Sequence, residues 1–175
     1  MSYDFIGDHP QNYSSGNIIS RFIDGLGFRY YWVTEGLTEN DLKFKPSETG
    51  QSTMETIRHI YWLAFMVNNT LYNRPSNRSF NAEIESLDFN EIRNGTLDLI
   101  KDSSSLSRSL SEEQLSQLEV QIQSGDKIYS YPLWNMMNGP LSDALYHTGQ
   151  IVSFRRSSGN PIRKGVNVFL GKLVN

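Results

Sequence analysis

Three polar side chains share one otherwise apolar helical face near the C-terminal end of the chain: Asp143, His147 and Gln150. Asp143 and His147 are four residues apart, so on a helix their side chains stack one turn above the other. A carboxylate and an imidazole that face a core together can bind one metal ion. They can also simply hydrogen-bond to each other, and the spacing alone leaves both interpretations open. The apolar residues of this face are Leu133, Met136, Pro140, Ala144, Ile151 and Phe154.

A second histidine occupies a similar position in an earlier helical segment. His59 shares an apolar face with Leu63 and Met66, where a lone histidine is usually an ordinary core residue. If the two helices are neighbours, however, His59 meets Asp143 and His147 at one level, and coordination positions stay open for water or substrate. These residue types suit zinc, nickel, manganese or ferrous iron and do not choose among them.

The composition predicts one domain, residues 1–175, with neither nucleic acid nor membrane as a partner. Hydrophobic residues make up 38% of the 175 and charged residues 20%, and the net charge is only -3. Lysine and arginine form no stripe, and no stretch reaches the roughly 20 apolar residues of a membrane span. The absence of cysteine excludes disulfides, thiolate metal ligands and a protein thiol nucleophile. It also fits a reducing compartment, so we expect a cytoplasmic protein.

The apolar periodicity predicts an all-α protein, a bundle of four long helices. The first covers residues 17–36, and the second starts at the Ser52 cap, with Glu55 reaching back to it, and stops before Pro75. The third follows a cap at Asp88, and its end is obscured by glycine and serine. The fourth is predicted over 132–157, opening at Pro132 and kinked at Pro140. Alternation over 118–131 predicts a small β-hairpin before the fourth helix.

The sequence resembles the DinB-like (DinB/YfiT) superfamily, which is regarded as a group of metalloenzymes. The resemblance covers most of the chain and lies in His59 within Thr-Ile-Arg-His-Ile, in Tyr-His-Thr-Gly-Gln-Ile at 146–151, and in the Arg-Arg-x-x-Gly-Asn-Pro that follows. It implies a four-helix bundle whose metal ligands are His59, Asp143 and His147. In the family three histidines are usual, so Asp143 departs from the pattern. The implied ion is zinc or nickel, with iron and manganese as alternatives.

The resemblance also implies a class of function, a transferase acting on a small-molecule substrate. Characterised relatives use a low-molecular-weight thiol such as bacillithiol, mycothiol or glutathione, activated at the metal ion. Such chemistry suits a chain without cysteine. One alternative is a metal-dependent hydrolase with Glu55 as a base, although the helix cap explains Glu55 adequately. Another is a non-catalytic helical binding or stress-response module in which the polar trio is structural.

For several other polar and aromatic residues, both a structural role and a functional role are conceivable from the sequence. Gln150 could hydrogen-bond a metal ligand or bond only to the backbone. We expect Arg155 and Arg156 to fix a helix end rather than bind substrate, and Trp62 and Tyr146 to be packing residues. Finally, three residues on the opposite side of that helix predict a second buried contact, either a homodimer or cover from the N-terminal segment or tail. They are Leu145, Gly149 and Val152.

Overall fold

Four long helices form the body of the protein, as the computed structural model shows for residues 3–174. In chain order, α1 (Ser15–Thr34) precedes the short α2 (Glu39–Lys43) and the long α3 (Thr53–Leu71). After α4 (Phe80–Ser86) come the long α5 (Phe89–Ser109) and the short α6 (Glu112–Ser116). The last helices are α7 (Trp134–Met136) and the long α8 (Ser142–Ser158). Both α1 and α3 pack on α5 and on α8, so the four long helices close a ring, and the predicted bundle is confirmed.

The helix starts follow the capping residues in the sequence. The side chain of Ser52 accepts from the Glu55 amide at 3.2 Å, and the Glu55 carboxylate accepts from the Ser52 amide at 2.6 Å. Asp88 and Glu91 form the same reciprocal pair at the start of α5. Each pair satisfies two amide groups that the first helical turn leaves without partners, which is why both predicted starts are confirmed.

The serine-rich end of α5 stays helical because it packs closely against α1. Ser103, Ser104 and Ser107 are buried there, and Ser104 donates to the carboxylate of Asp24 at 2.6 Å. A side chain at Gly16 of α1 would begin 2.2 Å from the carbonyl oxygen of Ser107, so the two backbones nearly touch. Packing at this distance outweighs the low helix propensity of serine and extends α5 to Ser109.

The predicted hairpin is present and belongs to a slightly larger sheet. Strands β2 (Glu119–Ser124) and β3 (Lys127–Pro132) pair antiparallel, with Ser124 opposite Lys127. A short strand β1 (Ser76–Asn77) adds to β2 in parallel. The connection between the second and third long helices therefore contains both β1 and α4. Helix α4 forms because it has apolar residues to bury: the ring of Phe80 stacks on that of Phe65 at 4.0 Å.

The predicted start of the fourth helix is wrong by two residues, whereas its kink is confirmed. Pro132 ends β3 opposite Glu119, and α7 begins only at Trp134. A π-helical segment, Met137–Leu141, separates α7 from α8, and Gly139 within it has non-helical angles of φ -94° and ψ -112°. Pro140 lacks the amide that would continue an α-helical ladder, so the chain bends here.

Two further short features lie in regions for which the sequence predicts no helix or strand. Helix α6 starts at a capping box formed by Ser111 and Gln114. In the C-terminal tail, β4 (Val166–Asn167) pairs antiparallel with β5 (Lys172–Leu173). Between residues 3 and 174, none of the helices has the length and apolar character needed to cross a membrane.

Candidate metal centre

The structure brings together the three predicted ligands. His59 lies on α3, and Asp143 and His147 lie on adjacent turns of α8. The Nε2 atoms of His59 and His147 are each 3.3 Å from a different carboxylate oxygen of Asp143. The two imidazole rings stand nearly perpendicular, with centroids 4.6 Å apart. One ligand atom from each residue can be chosen so that all three lie within 4.8 Å of one another.

Core packing on both helices directs these side chains toward the same seam. On α3, Ile57 and Ile60 beside His59 have no exposed surface, and on α8 the same holds for Ala144 and Ile151. Because these apolar residues occupy the inward faces, the polar residues next to them lie along the line where α3 and α8 meet. The kink before α8 comes one turn ahead of Asp143.

The spacing of the trio fits a bound transition-metal ion. In a tetrahedral site with bonds of about 2.0–2.1 Å, ligand atoms lie about 3.3 Å apart. Both nitrogen–oxygen distances to Asp143 are 3.3 Å, each to a different carboxylate oxygen, and the one from His59 also meets the geometry of a long hydrogen bond. Two imidazole nitrogens and one carboxylate are also a donor set of catalytic zinc sites, which keep further positions open.

The trio is more exposed than its apolar surroundings in the sequence suggested. Side-chain exposure is 36% for His59, 44% for Asp143 and 15% for His147, so these groups lie at the edge of the core rather than inside it. A cleft between α3, the hairpin and the kink is lined by Asp143, whereas His59 and His147 do not line it. Water or a small molecule can therefore reach the carboxylate directly.

Gln150 lies one turn after His147 and contacts it. The Nδ1 atom of His147 is 2.7 Å from Oε1 of Gln150. An amide oxygen only accepts hydrogen bonds, so Nδ1 donates the proton, and in the neutral imidazole Nε2 then keeps its lone pair. That tautomer presents Nε2 toward Asp143 as a metal ligand. Of the two interpretations of Gln150, the structure shows contact with the candidate ligand.

Glu55 is held at the start of α3 and is not part of the trio. Its carboxylate accepts from the Ser52 amide and lies 3.6 Å from Nζ of Lys45. Hydrogen bonds from Ser52, together with the Lys45 ammonium, lower the pKa of Glu55. A carboxylate with a lowered pKa is a weaker base, so this environment disfavours Glu55 as a general base.

The two adjacent arginines of α8 have different environments. Arg155 is 4% exposed, and its Nη1 donates to the carbonyl oxygens of Val33 and Glu35 at the end of α1. Its Nε donates to the carbonyl oxygen of Asn160 at 2.7 Å. The predicted structural role is thus confirmed for Arg155, which joins the ends of two helices. Arg156 is exposed.

The two aromatic residues near the site differ from each other. Trp62 is half-buried and its ring centroid lies 5.8 Å from that of Phe65, which agrees with the predicted packing role. Tyr146 is 64% exposed and lies along the cleft beside Asp143, so the packing prediction is wrong for this residue. Helical spacing alone does not show which side chains the rest of the fold leaves uncovered.

The opposite side of α8 borders a separate groove of about 940 Å³. Leu145, Gly149 and Val152 line one wall, facing Phe22 of α1 and Phe169 of the tail. Leu145 and Val152 are half-buried against the core and Gly149 is exposed, so the chain covers this side of α8 only in part. The homodimer stays a prediction, which sedimentation over a range of protein concentrations can test.

Comparison with known proteins places the fold. No protein-family model matches the sequence, and no curated protein matches it. Among solved structures, the crystal structure of the DinB-like protein YjoA from Bacillus subtilis is similar, with a TM-score of 0.56 and 16% sequence identity. The alignment covers 81% of this chain and 92% of that chain. At this identity the likeness concerns the fold alone. The chain has a DinB-like fold, as its resemblance to that superfamily predicted.

Proposed function

We propose that His59, Asp143 and His147 hold a divalent metal ion and that the protein is a metal-dependent enzyme acting on a small molecule. The observation that carries the proposal is the position of Asp143, whose two oxygens each lie 3.3 Å from an imidazole Nε2. These three residues supply fewer ligands than zinc, nickel, iron or manganese requires, so exchangeable positions remain. The exposed side of Asp143 gives a small molecule access to them.

The donor set favours zinc or nickel, with manganese and ferrous iron as alternatives. Imidazole nitrogen suits zinc, nickel and iron, whereas a carboxylate oxygen also suits manganese. Asp143 replaces one nitrogen donor of the usual three-histidine set by an oxygen donor. The donor atoms of this site are therefore chemically harder, that is, less polarisable, than three imidazole nitrogens. We therefore expect weaker discrimination against manganese and iron than three histidines would give.

The reaction that we propose is transfer of a low-molecular-weight thiol such as bacillithiol, mycothiol or glutathione to an electrophilic carbon. The thiol sulfur forms the new carbon–sulfur bond, the leaving group departs with its bonding electron pair, and the thiol proton passes to solvent. A divalent ion would lower the pKa of the thiol when it binds. The chain has no cysteine to serve as the nucleophile, and its fold is that of DinB-like proteins.

The protein residues have separate parts in this proposal. His59, Asp143 and His147 fix the ion at the seam of α3 and α8. Gln150 holds the His147 ring in the tautomer that leaves Nε2 free. Asp143 also contributes a negative charge that lowers the net charge of the site.

Two alternatives have less support. A metal-dependent hydrolase needs a base beside the ion, and the residue considered for that role, Glu55, is occupied by Ser52 and Lys45. A non-catalytic module would be favoured by a fully buried trio, but Asp143 is 44% exposed and faces a cleft.

Elemental analysis followed by thiol-transfer assays tests the proposal. Protein purified without a histidine tag is expected to contain about one zinc, nickel, iron or manganese ion per chain. With one of the three thiols it should form a thioether from an electrophile such as 1-chloro-2,4-dinitrobenzene, and chelated protein should not. A metal-containing protein that accelerates ester hydrolysis but consumes none of the thiols would overturn the transferase in favour of the hydrolase.

A further inference from the structure

A cleft of about 640 Å³ lies beside the candidate metal centre, between α3, the hairpin and the bend that precedes α8. Its inner wall consists of Leu63 and Met66 from α3 with Val120 and Ile122 from β2. Leu63, Met66 and Val120 are 3–7% exposed, so this wall is fixed by core packing. An apolar wall of this kind favours a ligand that has a carbon-rich body.

The bend supplies the polar edge of the cleft. Asn138 lies in the π-helical segment and Asn135 in the short helix before it, and both line the cleft. Their amide groups can donate and accept hydrogen bonds without carrying charge. Ser142 also lines the cleft, but its hydroxyl donates to the carbonyl oxygen of Met137 at 2.6 Å. The polar edge therefore suits an uncharged group such as a carbonyl or a hydroxyl.

The cleft is poor in positive charge. Among the described residues that line it, Asp143 alone carries a formal charge at neutral pH. Two cations on or near α3 are paired elsewhere, Arg58 with Glu85 at 3.3 Å and Lys45 with Glu55 at 3.6 Å. The negative charges of Asp143 and of an anionic nucleophile together balance the two positive charges of a divalent ion. An anionic group on the substrate would therefore lose hydration in the cleft without gaining a cationic partner.

Two partly exposed tyrosines also line the cleft. Tyr131 is 42% exposed and Tyr146 is 64% exposed. The ring of Tyr146 also lies edge-on to that of His147, with centroids 5.2 Å apart. Exposed phenol rings beside an apolar wall are suited to stack on a flat ligand.

These features point to the substrate class. The geometry points to an uncharged substrate with an aromatic or branched aliphatic body, held against Leu63 and Met66 with its polar group on Asn135 or Asn138. Its reactive atom then lies toward Asp143, at the open side of the candidate centre. This inference rests on the proposed function, which supplies the nucleophile.

Binding of two matched probes tests the inference independently of turnover. The probes are methyl 4-nitrophenyl sulfone, which is neutral, and 4-nitrobenzenesulfonate, which has nearly the same shape but is an anion and a poor metal ligand. Each is titrated into zinc-loaded wild-type protein and followed through the amide shifts of the cleft residues. The neutral probe should bind about tenfold or more tightly than the anion, with its largest shifts along the cleft.

Variants at Tyr146 separate charge from loss of the ring. Tyr146→Lys adds a cation at an exposed position, so it should raise affinity for the sulfonate and reduce or reverse the preference. Tyr146→Gln removes the ring without adding charge, and it should weaken both probes while keeping the preference for the neutral one. Tyr13→Lys is the matched control, because Tyr13 is 92% exposed and borders the groove on the other side of α8. It should change neither affinity.

The outcomes distinguish this inference from the proposed function. Equal or tighter binding of the sulfonate by wild type, shifts outside the cleft, or no binding of either probe at millimolar concentration would overturn the substrate class, even if the protein holds zinc at the trio. If zinc fails to bind at His59, Asp143 and His147, the proposed function fails. The probes are then compared on the metal-free protein, where a preference for the neutral probe would still support the cleft.

Discussion

Asp143 is the residue on which the candidate centre depends most, because each of its carboxylate oxygens faces one imidazole. Asp143→Ala leaves only two side-chain ligands, so we expect metal affinity to fall by more than the roughly 10–100-fold typical of losing a supporting residue. Asp143→His restores a third ligand and should retain the metal, with a preference shifted toward zinc or nickel. Competition with a chromogenic chelator measures both. Retained affinity in Asp143→Ala would show that the carboxylate is not a ligand.

Gln150 gives a second prediction at the scale of one residue. Gln150→Leu removes the acceptor for Nδ1 of His147, so the imidazole is free to rotate or change tautomer. We expect metal affinity to fall by roughly 10–100-fold with little change in helicity. Gln150→Glu keeps an acceptor and should retain most of the affinity. If Gln150→Leu binds metal as tightly as wild type, the contact with His147 has no positioning role.

The sequence predicts much of the site at this scale, but not its surroundings. The spacing of Asp143 and His147 on one helix predicts that they face the same way, and the structure agrees. Nothing in the local pattern shows that Tyr146 is exposed, since exposure depends on which distant elements cover α8. Asn135 and Asn138 were missed because the wall that completes their cleft, with Leu63 and Met66 of α3, is distant in sequence.

At the scale of helices and strands, Arg155 joins the ends of α1 and α8, and its neighbour offers a matched control. Arg155→Met leaves the buried carbonyl oxygen of Val33 and the partly buried one of Glu35 without this donor. We expect the free energy of unfolding to fall by roughly 2–4 kcal/mol. Arg156→Met, on the exposed side, should change it by about 0.5 kcal/mol or less. Urea unfolding measures both, and equal effects of the two substitutions would contradict the assigned role of Arg155.

Asp41 predicts a pH dependence at the same junction. Burial raises the pKa of Asp41, but hydrogen bonds from Ser158, Asn160 and Thr38 outweigh it and hold the pKa well below its usual range. A carboxyl group whose pKa is lower in the folded state stabilises the fold above its unfolded pKa, near about 4, and loses that contribution as the pH falls toward the folded value.

Substitution isolates this contribution from that of the other carboxylates. Asp41→Asn should lower stability at pH 7 and flatten the loss of stability below about pH 4. Asp98→Asn, at an exposed position of α5, is the control and should leave the acid profile unchanged. The test is the urea midpoint measured at a series of pH values. A variant with the same acid profile as wild type would show that Asp41 does not contribute to it.

The sequence predicts the elements well where a local signal decides them. The reciprocal caps of Ser52 with Glu55 and of Asp88 with Glu91 locate two helix starts. Pro132 was misplaced because a proline suits the end of an edge strand as well as the first turn of a helix, and pairing with Glu119 decides the matter. The serine-rich end of α5 was obscure because its stability comes from close packing on α1 rather than from propensity.

At the scale of the whole molecule, the buried core and the candidate centre occupy different parts of the four-helix bundle. The fully buried side chains, such as Tyr30, Phe28 and Ile92, come from α1 and α5 as well as from α3 and α8. His59, Asp143 and His147 instead lie at one partly exposed seam. We therefore expect the bundle to remain folded without metal, in contrast to small domains in which a metal ion holds the fold together.

The most direct measurement is a zinc titration of chelated, tag-free protein by calorimetry, since the chain offers its own control in a third histidine. Wild type and His9→Ala should each bind about one ion per chain, because His9 is exposed and outside the trio. His59→Ala and His147→Ala, with unchanged helical circular dichroism, should lose this binding almost completely. Folded His147→Ala protein that binds zinc with wild-type stoichiometry and affinity would contradict the account, because the ion would then lie elsewhere.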